Sequence, residues 1–291
     1  MEEVLRWLSQ PAVLPWIALV FGLCVGSFLN VVIHRLPRMM EREWRAECAA
    51  LQGEEPPPAE AFNLVTPRSR CPSCNAAIPG WHNIPLVSYA VLGGKCASCK
   101  APISVKYPVV ELLAGIGGAY AAYRFGPTLA AAGAALFIWF VIALSFIDQE
   151  TGLLPDDLTL PLVWVGLILN LFDTFVPLRD AVIGAAAGYL FLWLINAGFK
   201  AVRGMDGMGH GDFKLYAAVG AFLGWKVLPI VILLSSVVGL VAGSVQMVSA
   251  RRGWDWKFRF HFGPYIAVAG IIALFWGHAI TRHLFVLRMP G

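Results

Sequence analysis

Apolar residues in this chain come in long runs rather than on one face of a repeating pattern, and the runs are separated by short polar breaks. A helix needs about 20 apolar residues to cross the hydrocarbon of a bilayer. Eight stretches qualify as candidates: 12–33, 108–123, 128–147, 158–176, 180–199, 213–224, 227–249 and 263–280, of which the second and sixth are short. One long polar segment, 34–107, interrupts them. It opens on a charged, helix-compatible piece, Met39 to Leu51, and passes through a linker-like Gly53-Glu54-Glu55-Pro56-Pro57-Pro58. The pattern predicts an all-α polytopic membrane protein with about eight transmembrane helices. Its parts are a first helix within 1–33, a loop domain at 34–107 and a second membrane domain at 108–291.

Composition agrees with that pattern. Hydrophobic residues make up 58% of the 291 residues and charged ones 14%, against about 25% charged in soluble domains; mean hydropathy is +0.68. A net charge of +4 is too small to point to nucleic acid. Met1-Glu2-Glu3-Val4 lacks the basic region of a cleaved signal, so the first run is expected to stay as a span. Orientation follows from Lys and Arg. With eight spans and the loop 34–107 in the cytoplasm, 16 of the 22 basic residues fall on the cytoplasmic side, as the positive-inside rule favours. The pairs Gly22/Gly26, Gly184/Gly188 and Gly239/Gly243 have the spacing that lets helix backbones approach closely in lipid, and are read as packing.

The loop carries Cys71-Pro72-Ser73-Cys74 and Cys96-Ala97-Ser98-Cys99, two C-x-x-C pairs with 21 residues between them. Each pair offers two thiolates from one tight turn, and two turns complete a tetrahedron, the pattern of a structural zinc knuckle. Two disulfides are the alternative, disfavoured in a reducing cytosol. With four protein ligands such a site has no open position for catalysis. Cys24 and Cys48 lie outside the pairs. Between the pairs, Gly93-Gly94-Lys95 is either a turn or a place where a ligand approaches the backbone.

Two aspartates sit where apolar runs meet polar breaks. Asp148 ends the run Ser145-Phe146-Ile147-Asp148, and Asp212 opens one in Gly209-His210-Gly211-Asp212-Phe213-Lys214. In the predicted topology both lie at the cytoplasmic edge. Carboxylates near a bilayer are costly unless paired, wetted or protonated, and two held close share a proton, so that one serves as base and the other as acid. That division suits hydrolysis of a peptide bond. The plainer reading makes Gly209-His210-Gly211 a turn with Asp212 as helix cap. Asp156 and Asp157 read as N-terminal caps of the fourth helix, either of them placed to assist the site, Asp173 and Asp180 fall on the opposite side, and Glu111 is expected to pair with Lys106 or Arg35. A proton-coupled transporter and a zinc-bearing secretion scaffold are the rival functions.

In order along the chain, Gly26-Ser27-Phe28-Leu29-Asn30-Val31-Val32-Ile33-His34-Arg35-Leu36-Pro37, the two cysteine pairs, Ile147-Asp148 with Leu154-Pro155-Asp156, and Gly209-His210-Gly211-Asp212-Phe213-Lys214 resemble the bacterial prepilin peptidases over nearly the whole length. The resemblance implies a GxGD-type aspartic protease of the inner membrane, multi-pass, with its active site facing the cytoplasm. It implies that Asp148 and Asp212 are the catalytic pair, within an aspartic protease domain at 108–291. It also implies removal of the leader from type IV prepilins and type II secretion pseudopilins. Transfer of a methyl group from S-adenosylmethionine to the new N-terminal residue would follow. No nucleotide-binding glycine fingerprint marks a site for that donor, and Gly93, Gly94 and Lys95 are its candidates.

Overall fold

The structure, a computed structural model, describes residues 10–54, 61–249 and 261–286. Among them there is no strand, only two isolated bridges, Arg70 with Ala77 and Lys95 with Pro102. Residues 55–60, which include the expected Pro56–Pro58 turn, and the basic stretch 250–260 lie outside the described residues. The chain divides into two compact units, Met1–Ala143 and Leu144–Gly291.

In the first unit, α1 (Leu14–Gln52) is a single helix of 39 residues. The expected span and the charged piece behind it are therefore continuous. At 1.5 Å per residue this helix is about 58 Å long, roughly twice a bilayer core, so its charged second half extends beyond the apolar layer. Pro37 is accommodated inside it, and Gly53, left-handed at φ 75°, ends it. Short helix α2 (Val87–Val91) follows in the loop, then α3 (Lys106–Phe125). Helix α3 packs along α1, and the small residues decide how closely. A Cβ on Gly22 would stand 2.6 Å from the Ala114 carbonyl oxygen, and one on Gly26 2.6 Å from Glu111 Cα. Helix α4 (Leu129–Thr151) contains the boundary between the units.

The second unit holds α5 (Asp156–Asn170), α6 (Leu178–Arg203), α7 (His210–Leu223), α8 (Leu228–Ser249) and α9 (Gly263–Val286). Helix α7 is its centre: it packs on α5, α6 and α9. Every residue from Asp212 to Leu223 except Lys214 is buried. A helix that is apolar all round belongs inside a bundle. Its approach to α6 is set by glycine: Gly220 and Gly184 meet backbone to backbone, and a Cβ on Gly188 would lie 2.8 Å from the Tyr216 carbonyl.

Among the described residues, five helices are long and apolar enough to cross a membrane: Leu14–Gln52, Leu129–Thr151, Leu178–Arg203, Trp225–Val245 and Gly263–Arg282. The other three expected spans are α3, α5 and α7. Helices α5 and α7, at 15 and 14 residues, reach only about 21–23 Å. Helix α3 is long enough but carries Lys106, Glu111 and Arg124 among glycines and alanines.

Polar side chains pin the two ends of the second unit differently. At one end buried Asn170 donates to the carbonyls of Ala221 (2.8 Å) and Phe222 (3.0 Å) and accepts from the Phe175 and Val176 amides. There Asp180 pairs with Lys226 at 3.2 Å. At the other end the C-terminus of α6 and the N-termini of α5, α7 and α9 converge with Asp148. Asp173 and Asp180 thus lie far along the helices from Asp148 and Asp212, as the topology anticipates.

Candidate active site and metal-binding cluster

Asp148 sits one turn before the end of α4 and is 5% exposed; Asp212 sits in the first turn of α7 and is 8% exposed. The two carboxyls are near enough to act on each other electrostatically. Neither is ion-paired to Lys or Arg among the described residues. Asp148 Oδ2 accepts from the Gly263 amide at 3.2 Å, and His261 is close enough to interact with the same carboxyl by charge. Asp212 Oδ1 is buried without a hydrogen-bond partner.

Local sequence explains this placement. Gly209, in extended conformation, is the N-cap of α7, and no side chain caps that helix. Asp212 is therefore inside the first turn rather than a cap, and its amide reaches back to the Gly209 carbonyl at 3.2 Å. Leu154 packs against both glycines beside the acids: a Cβ on Gly211 would stand 2.5 Å from Leu154 Cβ, and one on Gly263 3.2 Å from Leu154 Cδ2. A Cβ on Gly263 would also come within 2.8 Å of Asp148 Oδ2. Glycine at 263 leaves room for the Asp148 carboxyl, and glycine at 211 for the Leu154 side chain.

Neighbouring charges are spent on architecture. Lys214 Nζ contacts both oxygens of Asp156 at 2.6 Å, tying the starts of α5 and α7 together. Asn196 is 6% exposed near the end of α6. It accepts from the Gly207 and Met208 amides at 2.9 and 3.2 Å and donates to Asp206 at 3.1 Å. This one side chain holds the glycine-rich loop in front of Asp212. Asp206 also takes Lys200 at 3.1 Å, which holds its pKa below the usual carboxylate value. The ring of His210 stacks near Phe213, centroids 5.2 Å apart.

The sequence reading missed Asn196, Leu154, His261 and Gly263. Asn196 is a lone polar residue in an apolar run, which was a signal. Gly263-Pro264 at the start of an apolar run was another.

In the first unit the sulfurs of Cys71, Cys74, Cys96 and Cys99 all lie within 4.8 Å of one another, with Cys71 and Cys99 at 3.9 Å. A tetrahedral zinc with bonds of about 2.3 Å requires sulfurs about 3.8 Å apart, so the donor set and its spacing fit that ion. The backbone prepares the thiolates. The Cys74 and then the Ser73 amides hold the Cys71 thiol down to about 6, and the Cys99 and Ser98 amides lower Cys96 in the same way.

The two halves repeat at an offset of 25 residues. Cys71 donates to the Ala76 carbonyl and accepts from Asn75; Cys96 donates to Ala101 and accepts from Lys100. Ile78 donates to Ser69 as Ile103 donates to Gly94, and Asn75 and Lys100 both have φ 60°. Gly94 and Lys95 thus occupy the places of Ser69 and Arg70 in the first half. Gly94 also lies against the Tyr89 ring, where a Cβ would stand 3.0 Å away, while Gly93 at φ 60° faces open space. Turn geometry accounts for both glycines.

Glu111 departs from expectation. It is 9% exposed and makes no ion pair with Lys106 or Arg35; its Oε2 accepts from the Leu86 amide at 2.9 Å. Arg35, also buried, donates to the carbonyls of Asn63 (2.9 Å) and Pro67 (2.6 Å).

The family profile described as the bacterial peptidase A24 N-terminal domain matches residues 20–125, and that of the type IV leader peptidase family matches residues 135–244. Curated relatives named prepilin leader peptidase/N-methyltransferase match almost end to end. The Pseudomonas aeruginosa protein is 51% identical over 275 residues, covering 94% of each chain, and the Aeromonas hydrophila protein is 51% identical over 278 residues, covering 92% of this chain and 94% of its own. The Burkholderia pseudomallei protein is 49% identical over 268 residues, covering 89% of this chain and 84% of its own. No solved structure matches. Half-identical relatives over nearly the full length, and two profiles that between them take in both aspartates and all four paired cysteines, place this chain in the type IV leader peptidase family.

Proposed function

We propose that the protein cleaves the leader from type IV prepilins and type II secretion pseudopilins with an Asp148–Asp212 dyad, then N-methylates the new N-terminal residue with S-adenosylmethionine. The single observation that carries the proteolytic half is the meeting of two buried carboxyls, neither ion-paired to Lys or Arg among the described residues, at one end of the second unit. Two such groups share a proton. One carboxylate takes a proton from water as it attacks the peptide carbonyl, and the protonated partner gives a proton to the departing amine. The unpartnered Asp212 Oδ1 is an acceptor free for that water. Gly209 leaves the backbone before Asp212 unobstructed, its Cβ position 3.6 Å from Asp212 Oδ2.

In this reading the protein spans the bacterial inner membrane about eight times, with the dyad and the loop 34–107 facing the cytoplasm. Short α7 is shielded from lipid by its neighbours, while α5 turns Leu160, Trp164 and Ile168 outward. Residues 1–33 and 108–291 form the membrane part, the latter carrying protease chemistry. The substrate's apolar helix lies in lipid beside the bundle and its charged leader in the cytosol. Zinc on Cys71, Cys74, Cys96 and Cys99 is structural.

For the methyl donor, Gly93, Gly94 and Lys95 stay candidates at their turn, and a cavity of about 380 Å³ in the first unit is a second place for it. Val31, Arg35, Arg68, Ser69, Ile78 and Asn83 are among its lining residues, and its volume lies in the small-molecule range. The Arg68 guanidinium matches a carboxylate and the aliphatic walls an adenine ring. The donor supplies an activated methyl group.

Purified protein incubated with a prepilin should release the leader. An intact substrate would return the field to a transporter or a scaffold.

A further inference from the structure

Helices α1 and α3 enclose a second acidic centre that proteolysis does not use. Gly26 brings α1 against the backbone of Glu111 on α3. The Ser27 hydroxyl lies beside the Glu111 carboxyl and also reaches the Asn83 carbonyl at 3.4 Å. One turn along α1, Asn30 is 7% exposed; its amide donates to the Tyr107 carbonyl at 3.1 Å, and its Oδ1 is buried with no hydrogen-bond partner. Tyr107 is itself one turn before Glu111. The centre therefore presents a carboxylate and an orphaned amide oxygen, with no Lys, Arg or His paired to Glu111 among the described residues.

A buried carboxylate without a counter-ion is costly, and one inside a membrane bundle marks a functional site whose partner should be sought. What completes an acceptor-rich, uncompensated centre is a compact cation with several donors. The surroundings narrow the choice. Leu86, whose amide meets Glu111, holds an unusual backbone at φ 58°, and its neighbours Ile84 and Val87 expose 50% and 56% of their surface. Ser27 and Leu86 are half-buried and Asn83 is exposed, so the carboxyl is one side chain in from the surface, behind an apolar rim. An ammonium carried on an apolar residue matches charge and rim together.

We infer that Glu111, with Ser27 and Asn30, binds the free α-ammonium of the cleaved substrate and is the group that prepares it for methylation. The inference rests on the methyl-transfer half of the proposed function. A protonated amine has no lone pair. The N–H proton passes to a Glu111 carboxylate oxygen, the bonding pair stays on nitrogen as the nucleophile, and the proton later leaves to water. Asn83 joins the two features, since it lines the 380 Å³ cavity and its carbonyl receives Ser27.

The test compares two synthetic peptides, identical in an apolar N-terminal segment, one with a free α-amine and one N-acetylated, binding to the full-length protein without a methyl donor. The wild type should bind the free amine at least 10-fold more tightly. Glu111→Gln keeps an oxygen for the Leu86 amide, so the fold should survive, as helical content by circular dichroism will check; its preference should fall to within about 2-fold. Glu111→Asp keeps the charge and should retain at least a 3-fold preference, which a purely structural role would not produce. A wild type without preference, or a Gln variant that keeps it, overturns the inference. The proposed function fails separately: a wild type that prefers the free amine but neither cleaves prepilin nor methylates peptide leaves the amine site standing and removes the enzyme reading.

Discussion

Gly263 and Asp148 are 115 positions apart in sequence, yet the Gly263 amide donates to Asp148 Oδ2 at 3.2 Å. The start of the last described helix thus sets the carboxyl at the end of α4. The closeness is steric as well as polar. Gly263→Ala places a methyl 2.8 Å from that oxygen and must move it. Cleavage should fall about 10- to 100-fold, chiefly in kcat, since misplacing a reacting group costs that order of rate. Steady-state kinetics on a purified prepilin checks this, and an unchanged kcat would break the link between Gly263 and the dyad.

The dyad itself makes the strictest demand. Asp148→Asn and Asp212→Asn each remove one ionisable carboxyl at little change in volume, so helical content should be unchanged while cleavage drops by more than about 100-fold, the usual weight of acid–base catalysis. Leader release followed on a gel, beside circular dichroism, separates chemistry from folding. Near-normal cleavage by either variant would refute the assignment.

Asn196 should matter though it touches neither carboxyl. Asn196→Ala removes the acceptor of the Gly207 and Met208 amides, a loss of roughly 0.5–1.5 kcal/mol for each hydrogen bond. The expected result is faster hydrogen exchange at residues 204–209 and a cleavage rate lower by about 10-fold. Exchange mass spectrometry reads the loop directly; an unaltered loop would mean that α6 does not hold it.

The cysteine cluster should bind one zinc, with a characteristic pH dependence. Metal displaces protons from thiols. The Cys71 thiol, held down to about 6 by the Cys74 and Ser73 amides, is already a thiolate above that pH and must be deprotonated by the metal below it. Log affinity plotted against pH should therefore steepen by about one unit of slope as pH falls through about 6. Competition with a chromophoric chelator measures it. Cys71→Ser should weaken binding and abolish the break, and a slope constant across pH 6 would contradict the prepared thiolate.

Much of this was legible in the chain. Run length announced helices in lipid, because apolar stretches of that size have no other stable solvent. The cysteine spacing announced a four-sulfur cluster, since each C-x-x-C closes its own turn locally, and even the 25-residue repeat of Arg70–Ile78 in Lys95–Ile103 was there to read. Asp148 and Asp212 stood out because acids are scarce at the ends of apolar runs.

Other features exist only in three dimensions. Whether a 14-residue run such as α7 crosses lipid or hides inside a bundle depends on its neighbours, not on its own hydropathy, and Gly184 facing Gly220 is what lets it hide. The partner of Glu111 was misread for a similar reason. Charge alone points to Lys106 or Arg35, but close packing at Gly26 turns the carboxyl toward the Leu86 amide, while Arg35 is consumed by the carbonyls of Asn63 and Pro67. Short-range physics writes helices and metal turns into the sequence. Which polar groups meet across 25 to 115 positions is settled by backbone proximity, which only the folded chain defines.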